Sequence, residues 1–189
     1  MLYSCRIIGK GGDSVNDYYL IKKIANGNIK SLETLYQKYL SDVYRLAYMI
    51  TKNRHISEDI TQDVFLTVVK YANTYKRDIN VKGWILTITR NISLNIIKRN
   101  SFICSSGEET TDFISNINDF EIVEFSDLLK CLNPKEQEII VLHILYGLKH
   151  KEIAKILSKN QDSIRKQYQR ALIKLKNNIT TERNDLNVK

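Results

Sequence analysis

The sequence predicts an all-α protein of two small helical domains joined by a flexible linker. Apolar residues recur at helical spacing over residues 17–100 and again over 121–179. No segment alternates apolar and polar residues for long enough to predict a strand, and the chain has a single Pro. Residues 101–120 are rich in Ser, Thr, Asn and acids, which is typical of a linker. An unassigned N-terminal extension over 1–16 and a polar tail over 180–189 complete this organisation.

The amino-acid composition limits the class of partner and the cellular compartment that fit this protein. The 189 residues carry a formal net charge of +8, which favours nucleic acid or another anionic partner. Cys5, Cys104 and Cys131 are odd in number, widely spaced and form no CxxC pair, which argues against a disulfide framework and a zinc site. No stretch has the apolar length of a signal peptide or a membrane span. We therefore predict a cytoplasmic protein without a metal or other cofactor.

The first domain contains an acidic segment, SEDITQDVF, over residues 57–65. Ser57 suits a helix cap, and acids in the first turn suit the positive end of the helix dipole. The helical wheel predicts a core stripe of Ile60, Val64 and Val68. The opposite side carries Asp59, Gln62, Asp63 and Leu66. A leucine among acids on an exposed face predicts a docking surface for another protein.

The second domain begins with a clear helix start. Asn133 suits the cap, Pro134 the first helical position and Glu136 a capping box, and Gly147 is predicted to end the helix. The segments KHKEIAKIL and DSIRKQYQRALIKLK follow, separated by the short break SKNQ. Two short helices joined by a polar turn, with the second rich in cations, are typical of a helix-turn-helix.

The second of these helices has one packing face and one cationic face. Its predicted packed stripe comprises Ile164, Tyr168, Ala171, Leu172 and Leu175. The opposite face carries Ser163, Lys166, Gln169 and Arg170, with Arg165 on the flank. These residue types can contact base edges and phosphates in a major groove, and a merely solvated cationic face is the alternative.

Four segments together resemble the bacterial RNA polymerase sigma factors of the extracytoplasmic-function (ECF) type, within the sigma-70 family. SLETLYQKYLSDVYRLAYMIT, SEDITQDVFLTVVKYA and GWILTITRNISLNIIKRN are similar to successive segments of the family's first domain. The segment from LNPKEQ to LIKLK resembles the second domain, with its promoter-reading helix-turn-helix, although the turn reads SKN where the family usually has Gly-apolar-Ser. The resemblance covers residues 24–100 and 121–178.

This resemblance implies a function and a set of partners. A sigma factor directs RNA polymerase core to promoters and assists their opening, without catalysis of its own. Its partners are the core polymerase, through the coiled coil of the largest subunit and the flap, and promoter DNA. An anti-sigma factor is a further candidate partner. The first domain, 17–100, would engage the minus-ten element and the second domain, 121–179, the minus-thirty-five element.

The resemblance also implies site residues. The residues expected to bind polymerase are Asp59, Gln62, Asp63, Phe65 and Leu66. The first-domain residues expected to bind DNA are Tyr75, Lys76 and Arg77, in a loop that resembles the one capturing a flipped base, and Thr87, Arg90, Asn91, Lys98 and Arg99 on the following helix. Trp84 lies on the apolar stripe of that helix and is predicted to pack in the core. The second-domain set is Gln161, Ser163, Arg165, Lys166, Gln169 and Arg170.

Two other functional classes remain as alternatives. A LuxR-type regulator shares a similar helix-turn-helix, but it would need an α/β receiver, and the first hundred residues predict no strands. An enzyme is less favoured because His55, His143 and His150 lie in different elements and no catalytic motif is present.

Overall fold

The computed structural model describes residues 14–77, 80–100 and 128–186, and the chain divides into two compact units. The described residues of the first unit end at 100 and those of the second begin at 128. The linker predicted over 101–120 lies outside the described residues. Among the residues described, no helix combines the length and apolar character needed to cross a bilayer.

In the first unit, residues 14–77 and 80–100 form a bundle of four α-helices. They are α1 (Ser14–Ala25), α2 (Ile29–Thr51), α3 (Arg54–Tyr71) and α4 (Val81–Asn100), with a 3-10 turn at Ala72–Thr74. The long helix α2 packs against each of the other three. Asparagines cap two of the helices: the Asn28 side chain accepts from the backbone N–H of Ser31 at 2.9 Å, and Asn53 from that of Ile56 at 3.0 Å.

The core of this bundle follows the predicted periodicity of α3. Ile60, Val64 and Val68 are all completely buried, as are Leu35 and Val43 of α2. Each such aliphatic side chain contributes about 1.5–3 kcal/mol relative to exposure, so this stripe holds α3 against α2.

Helix α1 is attached to α2 by a buried carboxylate. Asp17 is only 3% exposed, accepts a hydrogen bond from Lys38 Nζ at 2.7 Å, and accepts another from the Tyr39 hydroxyl. Burial and the adjacent Asp17 raise the pKa of Tyr39 above its ordinary value. Helix α1 begins at Ser14, ahead of the domain boundary predicted at 17. These contacts make α1 an integral part of the bundle.

The described residues of the second unit, 128–186, form three α-helices. They are α5 (Pro134–Ile140), α6 (His150–Ile156) and α7 (Gln161–Leu186), with a 3-10 turn at Leu129–Cys131 and a π-helical turn at Val141–Leu145. The long helix α7 packs against both α5 and α6. Gly147 adopts a left-handed φ of 68°, and this conformation ends the π turn where the sequence predicts the helix to stop.

The capping box at the start of α5 also connects α5 to α7. The Asn133 side chain accepts from the Glu136 backbone N–H at 2.9 Å, and the Glu136 carboxylate accepts from that of Asn133 at 3.1 Å. Lys174 Nζ donates to the same carboxylate at 2.9 Å. The hydrogen bond from Lys174 lowers the pKa of Glu136, so this carboxylate is held charged.

Helix α7 is longer than the sequence analysis predicted. It continues to Leu186, through most of the segment expected to be a polar tail over 180–189. The segment lacks an apolar stripe, but it also lacks Gly and Pro, so nothing local ends the helix. The predicted boundary relied on hydrophobic periodicity, which the formation of a helix does not require.

Candidate functional site

The exposed face of α3 carries the predicted docking residues. Asp59, Gln62 and Asp63 are exposed, and the side chain of Leu66 is 68% exposed. Their spacing of three and four residues places them on one row of the helix. An apolar side chain beside two carboxylates can bind a partner with a hydrophobic contact and complementary positive charge. We call these four residues the α3 face.

Phe65 does not belong to this surface, although the resemblance places it among the docking residues. It is 5% exposed, and its ring centroid lies 4.7 Å from that of Tyr36 on α2. The ring is part of the core of the bundle, so it is not available to a partner on the surface.

The start of α3 also differs from the prediction. Asn53 caps the helix, and Ser57 is fully buried within it, where its hydroxyl donates to the Asn53 carbonyl at 2.6 Å. The predicted role of Ser57 as a cap is therefore wrong. Glu58 lies beyond the first turn and pairs with Arg54 Nε at 3.2 Å. The helix dipole thus does not explain the acids of this segment.

A groove between α2 and α3 adjoins the α3 face. It has a volume of about 200 Å³, and it is lined by Tyr36, Leu40, Tyr44, Glu58, Thr61 and Gln62. Gln62 belongs to both the groove and the α3 face. The contribution of α2 to this groove was not predicted from the sequence, although Tyr36, Leu40 and Tyr44 recur at helical spacing.

The predicted base-capturing loop divides into buried and exposed residues. Tyr75 is 7% exposed, and its ring centroid lies 4.8 Å from that of Trp84 and 6.4 Å from that of Tyr18. Tyr75 is therefore a core residue and not the surface DNA contact that was predicted. Lys76 and Arg77 are exposed. Trp84 packs partly buried against the core, as its place on the apolar stripe predicts.

The five α4 residues predicted to bind DNA, which we call the polar row, differ in their exposure. Asn91, Lys98 and Arg99 are exposed, whereas Thr87 and Arg90 are half-buried. The Thr87 hydroxyl donates to the Gly83 carbonyl at 2.7 Å. Behind the row, Ile88, Ile92 and Ile96 pack against the core. The row therefore presents mainly its C-terminal end to solvent.

The face predicted to be cationic on the second helix of the helix-turn-helix lies on α7. The exposed side chains are Gln161, Arg165, Lys166, Gln169 and Arg170. Ser163 is half-buried, and its hydroxyl accepts from Gln167 Nε2 at 2.8 Å. On the packed side Ile164 and Ala171 are completely buried, but Leu172 is 38% exposed. Leu172 lies at the edge of the stripe, so its predicted place in the core is wrong.

The turn before this helix adopts the geometry that glycine usually provides. Ser158 has a left-handed φ of 51°, at the position where the family that this chain resembles usually has Gly. The Asn160 side chain accepts from the Asp162 backbone N–H at 2.8 Å, and α7 begins at Gln161. The break predicted as SKNQ therefore ends one residue earlier, at Asn160. The helix-turn-helix geometry forms without the glycine.

Two histidines and a tyrosine connect the π-helical turn, α6 and α7 of the second unit. The rings of His143 and His150 stack with centroids 4.6 Å apart, and both contact Tyr168 of α7, at 4.5 and 5.0 Å. His143 Nδ1 hydrogen-bonds with the Leu148 carbonyl at 2.8 Å. Burial lowers the pKa of His150 below 6.5, and the nearby His143 and Arg165 add to this effect. Neutral His150 is therefore the form that fits the folded unit.

We expect the second unit to lose stability in mild acid. The unfolded chain binds a proton at His150 more readily, so stability is complete above about pH 6.5 and falls as the pH drops below it. Thermal melting of the second unit followed from about pH 7.5 to 5.5 should show this decline. His150→Phe should reduce it, whereas His55→Phe should not, since the His55 side chain is 66% exposed in the other unit. Equal pH dependence in His150→Phe would contradict the assignment.

Two family models match the chain, one in each unit. Residues 35–103 match Sigma-70 region 2, and residues 122–175 match Sigma-70, region 4. The first match contains the α3 face and α4, and the second contains the helix-turn-helix. The order of the two regions is the order predicted from the sequence.

Curated relatives and solved structures agree with these matches. The ECF RNA polymerase sigma factor BldN of Streptomyces coelicolor is 28% identical over 85% of this chain, which spans 64% of that relative. The ECF RNA polymerase sigma factor SigM of Bacillus subtilis is 24% identical, covering 77% of this chain and 93% of the relative. Among solved structures, CnrH in complex with the cytosolic domain of CnrY has a TM-score of 0.67 at 18% identity, covering 89% of this chain and 99% of CnrH.

The sigma factor RpoE of Bartonella quintana, solved with the anti-sigma factor NepR, has a TM-score of 0.62 at 19% identity and covers 80% of this chain and 98% of that one. These two structures share the fold of the chain. The matched regions, their order and the curated relatives all lead to one assignment: the chain belongs to the extracytoplasmic-function sigma factors of the sigma-70 family.

Proposed function

We propose that this sigma factor, which directs RNA polymerase core to promoters, binds the polymerase through the α3 face and the adjoining groove. The observation that carries the proposal is the exposed Leu66 beside Asp59 and Asp63 in a chain of net charge +8. A DNA-binding surface would not favour carboxylates, because the phosphate backbone repels them. A protein partner with a basic surface fits both the charge and the leucine.

Two other surfaces are proposed to bind promoter DNA. The exposed cations of α4 and of the preceding loop, Lys98, Arg99, Lys76 and Arg77, suit the phosphates of the minus-ten element. The exposed face of α7 suits the major groove of the minus-thirty-five element, because Arg, Lys and Gln can pair with base edges. We place this activity in the cytoplasm, where polymerase and promoter DNA meet.

Reconstituted transcription tests the proposed function. The purified chain, mixed with core polymerase and genomic DNA fragments, should produce transcripts with defined start sites, and mapping these sites would identify the promoters. The chain alone should produce none, because a sigma factor is not an enzyme. Random initiation from the complete mixture would contradict promoter recognition by this chain.

Substitutions on α7 distinguish base reading from phosphate binding. If Arg170 or Lys166 reads a base, its replacement by Ala should cost about 1–3 kcal/mol and relax the preference at one promoter position. If it contacts a phosphate, the replacement should weaken all promoters alike and reduce the salt slope by about one. Selection from a randomised upstream element measures both quantities. Ile173→Ala is a suitable control, since Ile173 is 60% exposed on the same helix and carries no charge. If neither substitution changes binding or promoter preference, the cationic face of α7 is exposed to solvent and does not contact DNA.

The alternative of a LuxR-type regulator is not supported. Its first domain would be an α/β receiver, whereas the corresponding part of this chain is a helical bundle that matches Sigma-70 region 2. An anti-sigma factor is a proposed further partner, since CnrH and RpoE were solved with CnrY and the anti-sigma factor NepR respectively.

A further inference from the structure

Gln167 of α7 lies on the face of the helix that we propose to read DNA, although the sequence analysis did not place it among the DNA-binding residues. It follows Ser163 by four positions and precedes Arg170 by three, so the three side chains lie along one row of the helix. Ser163 and Gln167 are half-buried, and Arg170 is exposed. Gln167 is therefore placed to act on neighbours that face the major groove.

The side-chain amide of Gln167 lies between the turn of the helix-turn-helix and the start of α7. Its Nε2 donates to the Ser163 hydroxyl at 2.8 Å. On the other side of the amide, Lys159 Nζ lies 3.5 Å from Oε1. Lys159 belongs to the turn, at the position where the family that this chain resembles usually has an apolar residue. The contact between the lysine and the amide is therefore a feature of this chain.

The charge of Lys159 determines which end of this amide faces the turn. An ammonium group has hydrogen-bond donors and no acceptor, so it attracts the amide oxygen and repels the amide NH2 group. The attraction between its charge and the amide dipole persists at 3.5 Å, where a hydrogen bond between neutral groups is weak. The oxygen therefore faces Lys159, and the NH2 group faces Ser163.

This orientation controls the hydroxyl group of Ser163. Because the amide donates to the Ser163 oxygen, the hydrogen of the hydroxyl must point away from Gln167. Among the described residues no acceptor takes this hydrogen. A hydroxyl that accepts one hydrogen bond is also polarised into a stronger donor. Ser163 is therefore set to donate to a group outside the protein.

The bases of DNA differ in what they offer to such a donor. Ser163 is the third residue of α7, and the N-terminal residues of a recognition helix contact base edges in the major groove. There guanine presents N7 and O6 as acceptors and thymine presents O4, whereas cytosine presents only the amino group N4. Adenine presents an acceptor and an amino group. A donating hydroxyl therefore favours guanine or thymine over cytosine.

We propose that Gln167 is a positioning residue for promoter reading, which Lys159 orients so that the Ser163 hydroxyl donates to an acceptor on a base edge. The inference rests on the proposed function, in which α7 enters the major groove of the minus-thirty-five element. It adds the kind of base that Ser163 selects, which is guanine or thymine over cytosine at the contacted position. Gln167 acts through Ser163 and not by contact with the base.

Selection from a randomised minus-thirty-five element, by the full chain bound to core polymerase, tests this base preference. Ser163→Ala identifies the contacted position as the one where the preference is lost. The unmodified chain should favour guanine or thymine over cytosine there about 2- to 10-fold, the effect of one hydrogen bond. Gln167→Glu should reverse the preference toward cytosine and adenine, because a carboxylate accepts the Ser163 hydrogen and leaves only lone pairs for the amino group of a base.

The negative charge that Gln167→Glu adds is controlled in the Ser163→Ala background. There the same substitution should weaken all promoters alike, by repulsion from the phosphates, and should change no base preference. Lys159→Met removes the group that orients the amide, so it should reduce the preference at the contacted position. A purely structural role of Gln167 would instead lower the melting temperature of the variants and leave the base preference as it is in the unmodified chain.

NMR of the isotope-labelled full chain, without polymerase or DNA, tests the orientation of the amide independently of the proposed function. Ser163→Ala and Lys159→Met should each shift the side-chain amide signals of Gln167, and unchanged signals would overturn the inference. An unchanged preference in Gln167→Glu, or a uniform loss over all sequences in Ser163→Ala, would overturn it as well. A chain that selects no sequence refutes promoter recognition itself, whereas selection that Ser163→Ala does not alter refutes only the role of Ser163 and Gln167.

Discussion

Reversal of charge on the α3 face is expected to abolish polymerase binding. Asp59→Lys combined with Gln62→Lys places two cations where we propose that a basic partner surface docks. Because like charges at an interface cost several kcal/mol, affinity for core polymerase should fall at least about 100-fold. Both positions are exposed, so the helix content and the melting temperature of the first unit should change little. Co-purification with core polymerase is the measurement.

A matched variant at the same positions isolates the sign of the charge. Asp59→Glu combined with Gln62→Glu keeps the surface acidic, and it should still co-purify with core. If the lysine variant binds core with unchanged affinity, the α3 face is not the docking surface. If both double variants lose binding, the shape of the surface and not its charge determines docking.

Phe65 and Leu66 are adjacent in the sequence but should respond to mutation in opposite ways. Phe65→Ala removes a ring that is 5% exposed and packed on Tyr36, which should destabilise the first unit by about 3–5 kcal/mol. This is a large part of the roughly 5–15 kcal/mol that stabilises a typical domain. Leu66→Ala, at a side chain 68% exposed, should change stability by less than about 0.5 kcal/mol. It should instead weaken binding to core polymerase.

Urea unfolding of both variants, alongside co-purification with core, separates the two roles. Phe65→Leu, which retains much of the buried apolar volume, should recover most of the lost stability. A stable, fully folded Phe65→Ala chain that fails to bind polymerase would contradict the core assignment. A marked loss of stability in Leu66→Ala would show that the leucine packs within the bundle.

Local sequence signals were sufficient to predict several features of this protein. The spacing of Ile60, Val64 and Val68 predicts the buried stripe of α3, because a helix returns to the same face every three to four residues. Asn133 and Glu136 predict the start of α5, because both hydrogen bonds of a capping box form within one helical turn. Such signals depend on neighbours along the chain, which the sequence contains directly.

Residues at the edge of a helical face could not be assigned in this way. A helical wheel gives the direction of a side chain, but it does not show whether another helix covers that direction. Phe65 is buried because Tyr36 of α2 packs on it, and Tyr75 because Tyr18 and Trp84 enclose its ring. Leu172 is partly exposed for the converse reason, since the packing of the second unit leaves that edge of α7 uncovered.

The sequence by itself determined the helical class, the two-domain order, the helix-turn-helix and the acidic and cationic faces, because each is expressed in local periodicity or charge. Only the tertiary structure decided which aromatic residues are core and which are surface. It also brought Lys22 of α1 and Arg77 to the ring of Tyr18, through the packing of α1 on Ala72–Thr74 and the bonds of Asp17 to Lys38 and Tyr39. These contacts join residues more than twenty positions apart, and their formation depends on the shape of the whole bundle, which no local pattern encodes.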